Sequence, residues 1–167
     1  MPRPTDGPDS PHIESSEPGD RRWMGRALER ARQARARGEV PVGAVLVRGN
    51  RILAEGFNRT VECSDPTAHA EVVALREGAR RLGDWRLTGT TLYVTLEPCA
   101  QCAGAAVLGR VARVVYGATD PKAGMAGTLG NLLQDPRLNH RTRLTAGVLA
   151  EASAALLREF FRERRGE

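Results

Sequence analysis

Two short segments constrain this chain most: His69-Ala70-Glu71 and Pro98-Cys99-Ala100-Gln101-Cys102. Each lies where the local pattern predicts the start of a helix, directly after a loop or a strand. Cys99 and Cys102 are three positions apart, so on a helix they share one face and can bind one ion. A helix N-terminus also favours the thiolate that ligation requires. The fold is therefore expected to bring two helix starts together, with His69 as a third ligand.

A site with three protein ligands leaves one tetrahedral position of zinc open, which distinguishes a catalytic ion from a structural one. Water in that position becomes a nucleophile near neutral pH. Glu71 would point about 200° around a regular helix from His69, but at a first turn it can still lie beside the ion. A carboxylate there can take the water proton and pass it to a ring nitrogen and to departing ammonia. H-x-E followed by P-C-x-x-C is the signature of zinc deaminases, so we predict one Zn²⁺ on His69, Cys99 and Cys102, with Glu71 as proton shuttle.

Each motif taken alone is ambiguous. A lone C-x-x-C is compatible with a redox pair, half of a structural zinc site or two buried thiols. A histidine at a helix start is often a cap or a surface residue. Three cysteines and no export signal argue against a disulfide framework. The remaining cysteine, Cys63, is either a fourth ligand that closes the site or a loop thiol.

Hydrophobic periodicity places these motifs in an alternation of helices and strands. A helix is predicted at 21–37 and a β-hairpin at 42–57, with Gly49-Asn50 at its turn. From residue 69 onward strands alternate with helices, which indicates one domain with helices packed on a sheet. The other predicted helices are 69–82, one opening at Pro98, and 149–164; the other strands are 91–96, 111–118 and a short one within 143–148.

Composition divides the chain at about residue 20. Residues 1–20 are rich in Pro, Ser, Gly and acids and carry a net charge of −4, so we predict a disordered N-terminal tail. The whole chain carries +5, so residues 21–167 carry +9 and suit a polyanion such as nucleic acid. Without a membrane-length apolar run or a leader pattern, the protein is expected to be soluble and cytoplasmic.

Longer stretches around the motifs resemble the bacterial tRNA-specific adenosine deaminases of the cytidine deaminase superfamily. The similarity runs from about residue 21 to 165, so 21–167 is expected to form the zinc-dependent deaminase domain. The resemblance implies a three-layer α/β/α sandwich around a mixed five-stranded sheet whose last two strands are parallel. The stretches are VPVGAVLV (40–47), GFNR (56–59), PTAHAEVVAL (66–75), TLYVTLEPCAQCAGA (91–105), AGTLGNLLQDPRLNHR (126–141) and LLREFFRERR (156–165).

The same resemblance implies a reaction and its partners. The reaction would be hydrolytic deamination of the wobble adenosine of tRNA to inosine, commonly in the arginine tRNA with anticodon ACG. The partners would be the tRNA anticodon loop and a second copy of the chain, with one Zn²⁺ per subunit and with neither DNA nor a membrane expected. Asn58 would hydrogen-bond the base, Val42 and Leu96 would line its pocket, Asp120 would lie near the neighbouring nucleotide, and Phe160 and Phe161 would help hold the anticodon loop.

Simpler interpretations of these substrate contacts stay open. Asn58 is also typical of a turn cap and Asp120 of a turn that begins before Pro121. Val42 and Leu96 would look the same in an ordinary core, and the arginines of 158–165 are compatible with a solvated helix face. Two other functions also remain: deamination of a free base or nucleoside, and RNA binding by a catalytically silent zinc protein. The presence of Glu71 argues against the silent protein, because a structural site has no use for a proton shuttle.

Overall fold

A computed structural model of the protein describes residues 11–166, which form one mixed sheet with helices on both faces. None of the helices in this range combines the length and apolar composition that a membrane crossing requires. The strands are β1 (Ile13–Glu14), β2 (Gly43–Arg48), β3 (Arg51–Phe57), β4 (Thr90–Leu96), β5 (Arg113–Ala118) and β6 (Arg143–Thr145). The helices are α1 (Asp20–Ala36), α2 (Ala70–Leu82), α3 (Ala100–Leu108) and α4 (Ala150–Arg165).

The sheet has the strand order β1-β6-β5-β4-β2-β3. β2 and β3 form the predicted hairpin, and both turn residues, Gly49 (φ 57°) and Asn50 (φ 59°), are left-handed, as a type I′ turn requires. β2 is antiparallel to β4, whereas β4, β5, β6 and β1 pair in parallel. The mixed sheet and its parallel final strands are confirmed. The predicted number of five strands is exceeded by one, because β1 was not anticipated.

β1 shows that the predicted disordered tail is wrong for residues 11–20. Ile13 and Glu14 pair with Leu144 and Thr145 of β6. The Arg143 guanidinium donates hydrogen bonds to the carboxylates of Glu14 (2.7 Å) and Glu17 (2.9 Å). The acidic residues Glu14 and Glu17 are therefore paired with an arginine that is distant in sequence, and this part of the chain is not a solvated tail. The remainder of the predicted tail, residues 1–10, lies outside the described residues.

Alternating side chains of the strands build the two halves of the core. Leu46, Leu92 and Val114 belong to the cluster under α2 and α3. Val45 and Val115 belong to the cluster under α1 on the opposite face. The three-layer α/β/α arrangement is thus confirmed, and it leaves the starts of α2 and α3 on the same face of the sheet.

Gly56 of β3 allows the start of α2 to lie directly against the sheet. A Cβ at this position would clash with the carbonyl oxygen of Ala70, the first residue of α2. Glycine is required for such a close approach of two backbones. The contact sets the position of the helix start that carries His69.

A buried ion pair joins α1 to β5. Asp20 (1% exposed) accepts hydrogen bonds from Arg113 (2% exposed) at 2.8 and 2.7 Å, and from the Tyr93 hydroxyl at 2.9 Å. Burial alone would raise the pKa of Asp20, but the hydrogen bonds from Arg113 and its neighbours outweigh it, so the pKa is lowered. The pair therefore stays charged across the neutral pH range.

We expect Asp20→Ala to lower the free energy of unfolding by about 3–5 kcal/mol, because it leaves the Arg113 charge buried without its main partner. Urea denaturation measures this loss. Glu29→Ala, which breaks an exposed ion pair with Arg26, should cost less than about 1 kcal/mol. Since the folded pKa of Asp20 is lowered, its contribution is full above about pH 3.9 and is lost as the pH falls through the folded pKa. Equal losses in both variants would contradict the assignment.

Candidate active site

His69 and Cys99 occupy equivalent positions, each as the N-cap of its helix. His69 (φ −73°, ψ 153°) precedes α2, and Cys99 (φ −75°, ψ 179°) precedes α3. Their carbonyls accept the first helical hydrogen bonds, from Val73 (3.0 Å) and Ala103 (2.9 Å). Because an N-cap residue has an extended backbone, the 200° separation of His69 and Glu71 expected in a regular helix does not apply.

The three predicted metal ligands lie together. His69 Nδ1 is 3.5 Å from Cys99 Sγ and 3.5 Å from Cys102 Sγ, and the three ligand atoms all lie within 4.8 Å of one another. Zn–N near 2.1 Å and Zn–S near 2.3 Å at a tetrahedral angle give a nitrogen–sulfur distance of about 3.6 Å. This donor set and spacing fit zinc. Cys63 is exposed and stands outside this group of three, which supports its interpretation as a loop thiol.

The pKa values of the two cysteine ligands are shifted in opposite directions. The pKa of Cys99 is lowered to about 3, first by a hydrogen bond from Cys102 and then by one from His69. The same sulfur–sulfur hydrogen bond and burial raise the pKa of Cys102. Gln101 donates from Nε2 to the carbonyl of Thr67 (3.2 Å) and lies 3.9 Å from Cys102 Sγ. Gln101 is thus a second hydrogen-bond donor to Cys102, the more buried of the two cysteines.

Glu71 is almost completely buried beside this group, with 4% of its surface exposed. Burial raises the pKa of its carboxyl to about 7, against the opposing effects of backbone hydrogen bonding and of the Cys102 thiol. A carboxyl whose pKa is near neutrality can both accept and donate a proton, which is the requirement for general acid–base catalysis. Its position and environment suit the proton shuttle predicted from the motif.

Asn58 lies at the start of α2. Its Oδ1 accepts a hydrogen bond from the backbone N–H of Ala70 at 2.9 Å, so it caps this helix instead of a turn. With Oδ1 engaged as an acceptor, the amide NH₂ is left as a donor. Asn58 is thus held beside the His69 helix start, and its contact with a base stays a prediction.

The other predicted substrate contacts fall in two places. Val42 is 5% exposed and belongs to the core cluster under α2 and α3, and its carbonyl accepts the Asn58 N–H at 3.2 Å. Leu96 and Asp120 line one cavity of about 790 Å³ between the β4–β5 end of the sheet and α4. Asp120 also accepts hydrogen bonds from the backbone of Lys122 (3.0 Å), as a turn-forming residue does. The structure therefore places Leu96 and Asp120 in one cavity and Val42 in the core.

Glu97, which the sequence patterns did not predict as a functional residue, lies between the strand that ends at Leu96 and the Pro98-Cys99 motif. It is 2% exposed and accepts several hydrogen bonds from the loop after β5. The one sequence signal that could have indicated Glu97 is the position of an acidic residue between an apolar strand and a ligand motif. Its pairing with the loop depends on tertiary contacts.

Comparison with known proteins shows which family this arrangement of residues belongs to. Residues 18–118 match the family model of the cytidine and deoxycytidylate deaminase zinc-binding region. The tRNA-specific adenosine deaminase of Bacillus subtilis is 50% identical over 146 residues, which are 87% of this chain and 91% of that protein. The chain belongs to the tRNA-specific adenosine deaminases of this zinc-binding family. The predicted family, its zinc-dependent enzyme class and its Zn²⁺ cofactor are confirmed.

Solved structures of deaminases agree with this placement. One, from work on A-to-I editing by tRNA:A34 deaminases at the wobble position of transfer RNA, has 43% identity and a TM-score of 0.77. It matches 81% of this deaminase and 99% of the solved chain. The guanine deaminase of Nitrosomonas europaea has 26% identity and a TM-score of 0.72, with 90% and 87% of the two chains covered. The fold is therefore shared by deaminases with different substrates.

Proposed function

We propose that this deaminase converts the wobble adenosine of a tRNA to inosine, with the arginine tRNA of anticodon ACG as a substrate. The observation that carries the proposal is the 50% identity to a tRNA-specific adenosine deaminase over 87% of the chain. That extent includes far more than the zinc motifs, which deaminases with other substrates share. The residues of this chain supply the remaining support.

The reaction adds water across the N1=C6 bond of the adenine ring, with the hydroxyl on C6 and the proton on N1. The C6–N6 bond then breaks, which releases ammonia and leaves inosine. His69, Cys99 and Cys102 would hold Zn²⁺, which when bound is a Lewis acid that activates water. The Glu71 carboxylate takes the proton of the attacking water and delivers it to ring nitrogen N1. It then takes the proton of the new C6 hydroxyl and passes it to the amino group, so that the C6 carbonyl forms as the C6–N6 bond breaks and ammonia leaves. Asn58 donates from its NH₂ to the base and orients it.

The cavity lined by Leu96 and Asp120 has the composition of a nucleic-acid groove. The helix α4 contributes Phe161, which is 45% exposed, together with basic side chains, and Lys122 faces it from the loop. Exposed aromatic rings stack on unpaired bases, and basic side chains contact phosphates. This combination supports binding of an anticodon loop whose target base is turned out of its stack. The cavity's basic residues are Lys122, Arg158, Arg162 and Arg165.

We expect Arg158→Ala with Arg162→Ala to weaken binding of an anticodon stem-loop. Loss of two phosphate contacts should reduce the slope of log binding constant against log salt by about 1.4. Fluorescence titration of the stem-loop at several salt concentrations measures this slope. The control, Arg51→Ala with Arg80→Ala, removes the same charge from exposed positions outside the cavity. Identical salt slopes for both double variants would contradict a specific groove.

The substrate is tested by incubating the zinc-loaded protein with a stem-loop of anticodon ACG and measuring inosine. A matched stem-loop with guanosine at the wobble position serves as the negative control. The likeness to a guanine deaminase makes free guanine a second candidate, so ammonia release from guanine and adenosine is measured in parallel. Faster turnover of a free base than of the stem-loop would overturn the tRNA proposal.

The same family resemblance supports a homodimer, which we propose to form through the outer surface of α2 and α3. There Trp85 is 57% and Leu108 is 70% exposed. A groove of about 250 Å³ lies beside Trp85, lined by Val72, Leu75 and Leu87 among others. Exposed apolar surface of this kind marks interaction sites. Sedimentation equilibrium should give twice the chain mass, and a monomer at micromolar concentration would contradict the proposal.

Two further proposals concern the extent of the domain and the location of the protein in the cell. The deaminase domain comprises residues 21–167, with residues 11–20 packed on it through β1. The protein works in the cytoplasm, where its tRNA substrate is found. Limited trypsin digestion of the native protein should leave residues 21–167, together with the packed residues 11–20, in one resistant fragment. Internal cleavage into two stable parts would contradict a single domain.

A further inference from the structure

Glu97 is a buried carboxylate that the chemistry described so far does not use. It follows β4 directly and is 2% exposed. A buried charge needs partners, so its hydrogen bonds reveal its role.

All side-chain hydrogen bonds to Glu97 come from the loop that follows β5. Oε1 accepts from the backbone N–H of Asp120 at 3.0 Å and from the hydroxyl of Thr128. Oε2 accepts from the backbone N–H groups of Ala126 and Thr128, both at 3.1 Å. One carboxylate therefore joins the two ends of residues 120–128 and satisfies four donors.

The loop is shaped to receive this carboxylate. A Cβ at Gly124 would overlap the Glu97 carboxylate, so the absence of a side chain there makes room for it. The N–H of Met125 donates to the carbonyl of Pro98 at 2.8 Å. Residues 97–98, which directly precede the ligand Cys99, thus contact the loop through both their backbone and the Glu97 side chain.

This loop contributes Asp120, Pro121 and Lys122 to the cavity assigned above to RNA. We infer that Glu97 is a positioning residue, which holds the loop of residues 119–128 in the shape that presents these side chains to the substrate. The inference rests on the proposed function for its effect on substrate, whereas the loop contact itself is independent of it. Glutamine cannot make the same contacts as Glu97, because its NH₂ group takes the place of one of the two carboxylate oxygens. A donor would then face N–H donors of the loop.

Glu97→Gln is the direct test, with amide hydrogen exchange as its main measurement. The amides of Asp120, Ala126 and Thr128 should exchange at least about tenfold faster, because one of the two oxygens, which accepts two of the four hydrogen bonds that hold the loop, is lost. One zinc per chain should remain, and the KM for the ACG stem-loop should rise about tenfold or more while kcat changes less. Glu29→Gln makes the same chemical change on the exposed surface of α1 and should alter none of these.

Gly124→Ala disturbs the same contact from the loop side and decides the question if Glu97→Gln does not fold. It should accelerate exchange of the same three amides and leave zinc bound. Wild-type protection of these amides in the folded variants would overturn the inference, as would loss of zinc without loss of protection. Because exchange and zinc content need no RNA, failure of the wild-type protein to edit the stem-loop would sink the proposed function alone.

Discussion

Replacement of Glu71 by glutamine should lower the rate of inosine formation by about 10²–10⁴-fold, the usual contribution of a positioned general acid–base group. Glutamine has nearly the volume of glutamate, so the buried position beside Cys102 is preserved. It cannot accept the proton of the attacking water or return one to the ring and the leaving group. The predicted change is therefore in kcat, measured as single-turnover inosine formation on the ACG stem-loop.

Two measurements distinguish this loss from damage to the site. Zinc content should stay at one per chain, because Glu71 is not among the three ligands. Glu77→Gln makes the same substitution later on α2 at a carboxylate that hydrogen-bonds only exposed arginines, Arg80 and Arg81, and should keep wild-type activity. Retention of more than about a tenth of the wild-type rate in Glu71→Gln would contradict the proton-shuttle role.

Replacement of Cys99 by alanine should remove the metal and with it all turnover. Mutations of residues that merely support a ligand cost about 10–100-fold in metal affinity, so loss of a direct thiolate ligand should cost more. Only His69 and Cys102 would remain to bind the ion. Zinc measured by atomic absorption after gel filtration should fall from one per chain towards none.

Cys63→Ala is the matched control, since Cys63 is an exposed thiol outside the ligand group. It should retain one zinc per chain and wild-type activity. Full zinc retention in Cys99→Ala would show that the metal is held elsewhere. Loss of zinc in Cys63→Ala would instead revive the fourth-ligand alternative, which closes the site.

Local patterns predicted the elements that carry the site. The helix predicted at 69–82 is observed as Ala70–Leu82, and the strand predicted at 91–96 as Thr90–Leu96. These segments have strong hydrophobic periodicity and clear boundaries such as Gly83, whose left-handed conformation ends α2. Periodicity depends only on residues close together in sequence, so the amino-acid sequence was enough to predict these two elements.

Predictions that depend on distant partners were less complete. Residues 11–20 look like a solvated acidic tail until Arg143 and Arg113 pair with their carboxylates. Asn58 looks like a turn residue until the start of α2 is placed against it. In both cases the sequence shows a polar residue and not the group that satisfies it.

The sequence by itself determined that this protein is a zinc enzyme, since the ligand types and their spacing are local and chemically restrictive. Only the tertiary structure decided that His69 and Cys99 are both N-caps, which places their side chains at the N-terminal ends of two adjacent helices. It also decided that Glu97 shapes the loop beside the cavity. Burial and hydrogen-bond pairing across long sequence separations arise only when the chain packs, so no local pattern records them.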